Sequence, residues 1–284
     1  MRKRGFVEVD VFGAVAYRGN PLAVVLEAEG LSADQMLDFT RWTNFSEATF
    51  LLPPTSPEAD YKVRIFTQRG ELPFAGHPTL GTCHAWLEAG GKPRSPDRIV
   101  QECGAGNVPI KRQNGKLAFA APPLLRSGPV EEAFLANVAE VLGIPRAAIL
   151  DSQWIDNGPG WVGVMLKDRD AVLAVQADFS RYKGPGHLDV GLVGPHPSGS
   201  DCAFEVRALF AGENNAMIED PVTGSLNASL AQWLLTTGKA KAPYCTSQGT
   251  KLGRQGRPEI TRDEGGAIWI GGNTFTCVQG SVDL

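Results

Sequence analysis

The chain has 284 residues, enough for two domains rather than one or three. Hydrophobic residues make up 43% and charged residues 20%, which supports packed cores and excludes a disordered, highly charged chain. The net charge of −4, with no block of like charges, disfavours a general nucleic-acid or acidic-membrane binder, because both need a basic footprint.

With 33 glycines and 20 prolines, the composition asks for many tight turns and a β-rich fold. No apolar run approaches a membrane span, and Glu8 and Asp10 interrupt what would be the apolar part of a signal peptide. Five scattered cysteines with no Cys-x-x-Cys pair argue for reduced, buried thiols rather than a disulfide framework or zinc ribbon. The expectation is a soluble, cytoplasmic globular protein.

In chain order, residues 6–12 alternate as a strand with one buried face, and residues 22–26 read as a more buried strand after the Gly19-Asn20-Pro21 turn. Ser32 with Gln35 forms a capping box ahead of a helix carrying Met36, Leu37, Phe39 and Trp42. Strands follow at 48–52 and 61–67. Gly76-His77-Pro78 then opens a helix that Gly90-Gly91 closes. Strands near 99–101, 108–110 and 117–119 complete the first half.

Pro122-Pro123 and Ser127-Gly128-Pro129 suit a linker, so the domains are placed at 1–126 and 127–284, with the last strand (about 270–284) free to cross back. The second half reads as a helix at 131–142, strands at 161–166, 189–193 and 204–210, a helix from Ser225 to Gly238, and a strand-like tail at 268–282.

An internal echo organises these elements. Glu71-Leu72-Pro73-Phe74-Ala75-Gly76-His77 matches Glu219-Asp220-Pro221-Val222-Thr223-Gly224-Ser225 at an offset of 148. Each copy runs into an apolar helix with a tryptophan, Trp86 or Trp233, and upstream Val63-Arg64-Ile65 pairs with Val206-Arg207-Ala208. The reading is a divergent duplication giving two similar domains related by a pseudo-two-fold axis. Each copy puts a glycine and a polar residue at a helix start, where unpaired N–H groups carry roughly half a positive elementary charge. Two such ends facing across a cleft would hold a carboxylate or developing enolate, each well-aimed donor lowering the barrier by roughly 2.7–4 kcal/mol. For either copy alone, a tight-turn glycine and an ordinary N-cap are the plainer account.

The ordered series Asp10-Val11-Phe12, Gly19-Asn20-Pro21-Leu22-Ala23-Val24-Val25, Ser46-Glu47-Ala48-Thr49-Phe50, Arg64-Ile65-Phe66-Thr67, Leu72-Pro73-Phe74-Ala75-Gly76-His77-Pro78-Thr79-Leu80-Gly81 and Glu219-Asp220-Pro221-Val222-Thr223-Gly224-Ser225 resembles the phenazine biosynthesis PhzF-like family along almost the whole chain. The resemblance implies an α+β, diaminopimelate epimerase-like fold: two pseudo-symmetric domains, each a β-barrel-like sheet wrapped around a central helix, with the active site between them. It also implies a homodimer.

Glu47 matches the family's general acid/base, with Ala48 at the variable position of Ser-Glu-x-Thr-Phe. Flanking Phe45 and Phe50 would desolvate it and raise its pKa toward the working range. His77, Asp220 and Ser225 match substrate-contacting and proton-handling positions, and Gly76 and Gly224 would lend backbone amides. One departure separates the chain from related amino-acid epimerases: where those carry two opposed cysteines, it has Ala75 and Thr223, so a two-thiol racemase is excluded on chemical grounds.

Gly158-Pro159-Gly160-Trp161-Val162-Gly163 fits Gly-x-Gly-x-x-Gly only on paper, since it precedes a strand and Pro159 removes an amide. His77 and His84 lack a third ligand, so no metal site is expected, and His187 and His196 read as solvated.

The expected activity is a cofactor-independent isomerase moving a proton within a small carboxylate-bearing metabolite by way of Glu47. An epimerase or lyase on the same scaffold, or a non-catalytic metabolite-binding protein, are the alternatives. Specificity is expected in loops 13–18, 153–160 and 212–217.

Overall fold

The computed structural model describes residues 1–113, 115–212 and 216–284, with Gln113 in backbone only. The chain forms two compact units, residues 1–120 with 271–284, and residues 121–270.

In the first unit, β1 (Lys3–Val11), β2 (Asn20–Val25), β3 (Glu47–Leu52), β4 (Tyr61–Thr67), β5 (Gly70–Leu72), β6 (Arg98–Cys103), β7 (Gly106–Gln113) and β8 (Lys116–Ala120) accompany α1 (Ala33–Thr43) and α2 (Gly76–Glu88). In the second, β9 (Arg126–Gly128), β10 (Asp151–Asp156), β11 (Trp161–Met165), β12 (Asp189–Pro195), β13 (Phe204–Ala211), β14 (Met217–Asp220), β15 (Tyr244–Gln248) and β16 (Glu259–Arg262) accompany α3 (Glu132–Leu142), α4 (Arg169–Ala174) and α5 (Gly224–Thr236). β17 (Ile268–Gly272) and β18 (Thr274–Asp283) end the chain, and β18 pairs antiparallel with β1.

Both units follow one pairing sequence. β1–β2 is antiparallel, β2–β3 parallel across α1, β3–β4 and β4–β5 antiparallel, and β4–β6 parallel across α2. β10–β11 is antiparallel, β11–β12 parallel across α4, β12–β13 and β13–β14 antiparallel, and β13–β15 parallel across α5. The duplication read from two short motifs therefore extends through the whole order of strands. The echoed arginines and glutamates serve the short fifth strand of each set. Arg64 bonds Glu71 through both nitrogens (2.8 and 2.6 Å), and buried Arg207 does the same to Glu219 (3.0 and 2.8 Å). These bidentate pairs hold β5 and β14 onto their neighbours, where three or four residues of pairing alone would be weak.

α2 and α5 have thirteen residues each, and nine in each are buried. A helix apolar all round cannot rest on a surface; it has to be enclosed. In the second unit α5 puts Leu226, Leu230 and Trp233 among Ile155, Trp161, Val193, Val206 and Ala208. Gly191 makes room for it, since a Cβ there would lie 2.2 Å from the Leu226 side chain. In the first unit the concession is made by the helix: a Cβ on Gly81 of α2 would lie 2.5 Å from the Leu22 side chain of β2. The amphipathic helices cover other faces: α1 contributes Met36 and Phe39 to a cluster with Phe50 and Phe66, and α3 buries Val138, Val141 and Leu142.

Ser32 accepts from Gln35 N (3.2 Å) and donates its own N–H to the Gln35 side chain (2.9 Å), the capping box read from sequence. Three local expectations change. Arg126–Gly128 is a strand paired with β10 rather than part of a linker, because the breakers around it stop it from lengthening without preventing three residues of pairing. α4, unexpected from its short pattern, is nucleated by Asp168, which accepts from Ala171 N (2.9 Å). His196 is not solvated but bonds the fully buried Glu205 at 3.0 Å. Among the described residues no helix is long and apolar enough to cross a membrane.

Truncating either enclosed helix leaves a cavity that a rigid sheet cannot fill. Leu80→Ala and Leu226→Ala should each lower unfolding stability by about 2–5 kcal/mol in urea titrations, with unchanged content of secondary structure.

Candidate functional site

In the first unit, Glu47, Gly76 and His77 come together where β3 begins and α2 begins. The segment entering β3 is fixed by Asn44, left-handed at the end of α1 (φ 61°), whose side chain accepts from Gln68 Nε2 at 2.9 Å. Glu47 Oε2 lies 3.6 Å from His77 Nε2. That oxygen is enclosed, without a hydrogen-bond partner among the described residues, while the side chain as a whole is 18% exposed. Burial pushes the Glu47 carboxyl above its ordinary range, and only a bond from the Ser46 hydroxyl pulls the other way. His77 is 4% exposed. Its Nδ1 meets Asn20 Nδ2 at 3.4 Å, and with that amide donating, the neutral ring carries its proton on Nε2, facing Glu47. Gly76 is the first residue of α2; its N-cap, Ala75, has no side chain with which to cap the first turn.

In the second unit, Asp220, Gly224 and Ser225 lie on one β14–α5 connection. The helix begins one residue earlier than the sequence suggests, at Gly224, so Thr223 and not Ser225 is the N-cap. Thr223 does not cap the helix with its side chain; its hydroxyl donates to Asp220 Oδ2. Ser225 Oγ accepts from Trp161 Nε1 at 3.2 Å, and the Ser225 carbonyl accepts from Asn157 Nδ2 at 3.0 Å.

Four residues in these clusters escaped the sequence reading. Asn20 and Trp161 each orient the second residue of an enclosed helix, His77 and Ser225 respectively. Gln248, fully buried, accepts from Thr223 N (3.0 Å) and Asn227 Nδ2 (2.8 Å) and donates to Asp220 O (3.1 Å) and Thr223 Oγ1 (2.9 Å). Its counterpart Gln101, also fully buried, accepts from Tyr61 Oη (3.0 Å) and donates to Thr79 Oγ1 (2.9 Å). Thr79 and Asn227 in turn bond the carbonyls of Ala75 and Thr223. The signal was present: Thr79 and Asn227 keep the offset of 148, and Gln101 and Gln248 are 147 apart.

The positions that carry thiols in the two-cysteine enzymes offer no base. Ala75 has none, and Thr223 is committed to Asp220 and Gln248. Cys83 is fully buried, and burial pushes its thiol up to about 12. His84 bonds Thr274 and Thr276, each at 2.9 Å, and takes no part. Among the described residues no group of three or more His, Cys, Asp or Glu is placed to hold a metal ion.

Of the expected specificity loops, residues 13–18 are pinned by Asp10 Oδ2, which accepts from Arg18 N and Gly19 N, both at 3.0 Å. Residues 157–160 are held by Asp156 Oδ1, which accepts from Gly158 N (2.7 Å) and Gly160 N (2.8 Å), and Asn157 ties them to Ser225. In the third loop, residues 213–215 lie outside the described residues.

Comparison with known proteins follows the same lines. The profile of the family described as "Phenazine biosynthesis-like protein" matches residues 9–280. The chain is 34% identical to "Antisense-enhancing sequence 1" of Schizosaccharomyces pombe, with 99% of each chain covered. It is 30% identical to the trans-2,3-dihydro-3-hydroxyanthranilate isomerase of Pseudomonas aeruginosa, covering 98% of this chain and 99% of that one. A crystal structure of a phenazine biosynthesis protein of the PhzF family from Bacillus anthracis superposes over 100% of both chains with a TM-score of 0.82 at 22% identity, a likeness of fold.

Two outcomes test the geometry. Gln248→Ala orphans buried donors and acceptors around Thr223, so it should lower stability by about 1–3 kcal/mol for each group left unpaired, read by chemical unfolding. A raised carboxyl pKa means that the folded chain holds its proton longer than the unfolded one. Stability is therefore lost as pH rises from the ordinary value of 4.5 through the folded-state value. Glu47→Gln escapes that loss, so its melting temperature should exceed that of wild type at about pH 8 and the gap should close toward about pH 4.

Proposed function

The chain belongs to the phenazine biosynthesis-like protein family, and on that premise we propose that it is a cofactor-independent isomerase in which Glu47 moves a proton within a small carboxylate-bearing metabolite. Several relatives carry the name isomerase, among them the trans-2,3-dihydro-3-hydroxyanthranilate isomerases of Pseudomonas aeruginosa and Pseudomonas fluorescens.

The observation that carries the reading is the enclosed Glu47 carboxyl, raised by burial and placed 3.6 Å from His77 Nε2. A carboxyl so held is a better base once ionised than one in water, and its conjugate acid can return the proton at neutral pH. In the proposed cycle Glu47 removes a proton from one carbon of the substrate and delivers it to another. His77, with Nε2–H directed toward Glu47, steadies the carboxylate before the proton arrives.

The negative charge that builds on the substrate as its C–H bond breaks is met by N–H groups of the first turn of α2, near Gly76. Ser225 keeps its hydroxyl proton available for the substrate, since its oxygen accepts from Trp161. Asp220, whose Oδ2 accepts from the Thr223 hydroxyl, is oriented to meet an amino or hydroxyl group. One titrating carboxyl, with no thiol at Ala75 or Thr223, suits a one-base reaction better than a two-base one.

The test is incubation in deuterated water with trans-2,3-dihydro-3-hydroxyanthranilate and a panel of small amino- and hydroxy-carboxylates, following conversion by absorbance and isotope uptake by mass spectrometry. Wild type should convert or label at least one compound, and Glu47→Gln should lower that rate by about 10²–10⁴-fold. An equal rate in the variant would remove Glu47 from the mechanism.

A further inference from the structure

The second unit contains a pair of cysteines that the proposed reaction does not use. Cys202 is 4% exposed and precedes β13; Cys245 is half-buried on β15. Their sulfurs are 2.6 Å apart, closer than two unbonded thiols in ordinary contact. The backbone holds them there independently of the side chains. β13 and β15 run parallel with Phe204 opposite Thr246, and Ala203 N donates to Cys245 O at 2.8 Å. Neighbouring segments locked in this way bring the two thiols together without any rearrangement of the fold. The other three cysteines have no such companion: Cys83 and Cys103 are buried in the first unit, and Cys277 lies on β18.

We infer that Cys202 and Cys245 form a reversible dithiol–disulfide site, oxidised by low-molecular-weight disulfides and restored by thiols. The thiolate of one cysteine of the pair attacks one sulfur of an oxidised glutathione molecule and releases one glutathione thiolate. The other cysteine then attacks the protein sulfur of that mixed disulfide, the intramolecular bond forms, and the second glutathione thiolate leaves. Overall two protein thiols lose two hydrogens and one oxidised glutathione becomes two reduced molecules. The bond between the thiols, aided by the Arg257 guanidinium, holds Cys202 below the usual thiol range against the opposing effect of burial, and the same bond together with burial pushes Cys245 well above it.

The link would staple segments already hydrogen-bonded, so it stabilises the second unit as it stands. It also lies on the strand that carries Gln248, the residue that fixes Thr223 and Asp220. The inference does not depend on the reaction catalysed.

The experiment treats the intact wild-type chain with oxidised glutathione, blocks remaining thiols, and maps peptides without reduction by mass spectrometry. The expected result is a Cys202–Cys245 cross-linked peptide, a fall in titratable thiols from five to three, and full return of all five after dithiothreitol. Melting of the oxidised chain should move to higher temperature, and Cys202→Ser should stop at a glutathione adduct on Cys245. Five free thiols after treatment, a glutathione adduct on wild-type Cys245 that does not resolve, or a link between other cysteines would each overturn the inference.

Discussion

A helix without a polar face has to be surrounded, and in this protein that requirement is met twice. α2 and α5 are each buried on nine of their thirteen residues. Glycine lets helix and sheet approach in each unit, from the helix at Gly81 in α2 and from the sheet at Gly191 in β12. Once the body of the helix is enclosed, its first turn is the place where uncapped backbone N–H groups meet whatever the neighbouring strands deliver. In the first unit the neighbour is the start of β3, and the delivered group is Glu47. The same packing that builds the core therefore takes most of that side chain, 18% exposed, out of water and raises its pKa.

The two halves share a scaffold but not a chemistry. Each uses an arginine–glutamate pair to hold a short strand, a buried glutamine from the strand after the helix, and a side chain at the third position beyond the first helical glycine that bonds the N-cap carbonyl. The second positions differ, His77 in one and Ser225 in the other, and so do the residues that orient them, Asn20 and Trp161. Gln248 makes four hydrogen bonds in the turn that carries Asp220, whereas Gln101 reaches Thr79 and Tyr61. The repeated framework shares its bracing, while the side chains at the two helix starts differ.

Much of this was legible because the signals are local. The capping box at Ser32, Gly76 and Pro78 opening α2, and the alternating strands each span a few residues, and the echo repeats one seven-residue pattern at 71–77 and 219–225. What escaped depends on distance. Asn20 and His77 are 57 residues apart, Trp161 and Ser225 are 64 apart, and neither pair follows a helical or strand period. Gln101 and Gln248 sit in strands whose pattern marks them only as interior polar residues, and a buried glutamine announces no partner. His196 looked solvated because its loop is rich in proline and glycine, yet the strand that follows brings Glu205 beneath it.

The account stands on the state of one carboxyl group. Its most direct measurement is a carbon-13 NMR titration of the Glu47 side-chain carboxyl in the ligand-free chain, assigned by its loss in Glu47→Gln. The account predicts a midpoint above the ordinary value of 4.5, because burial penalises the charged form. A midpoint at or below that value would mean that water reaches the carboxylate freely, and neither the enclosure nor the role built on it would survive.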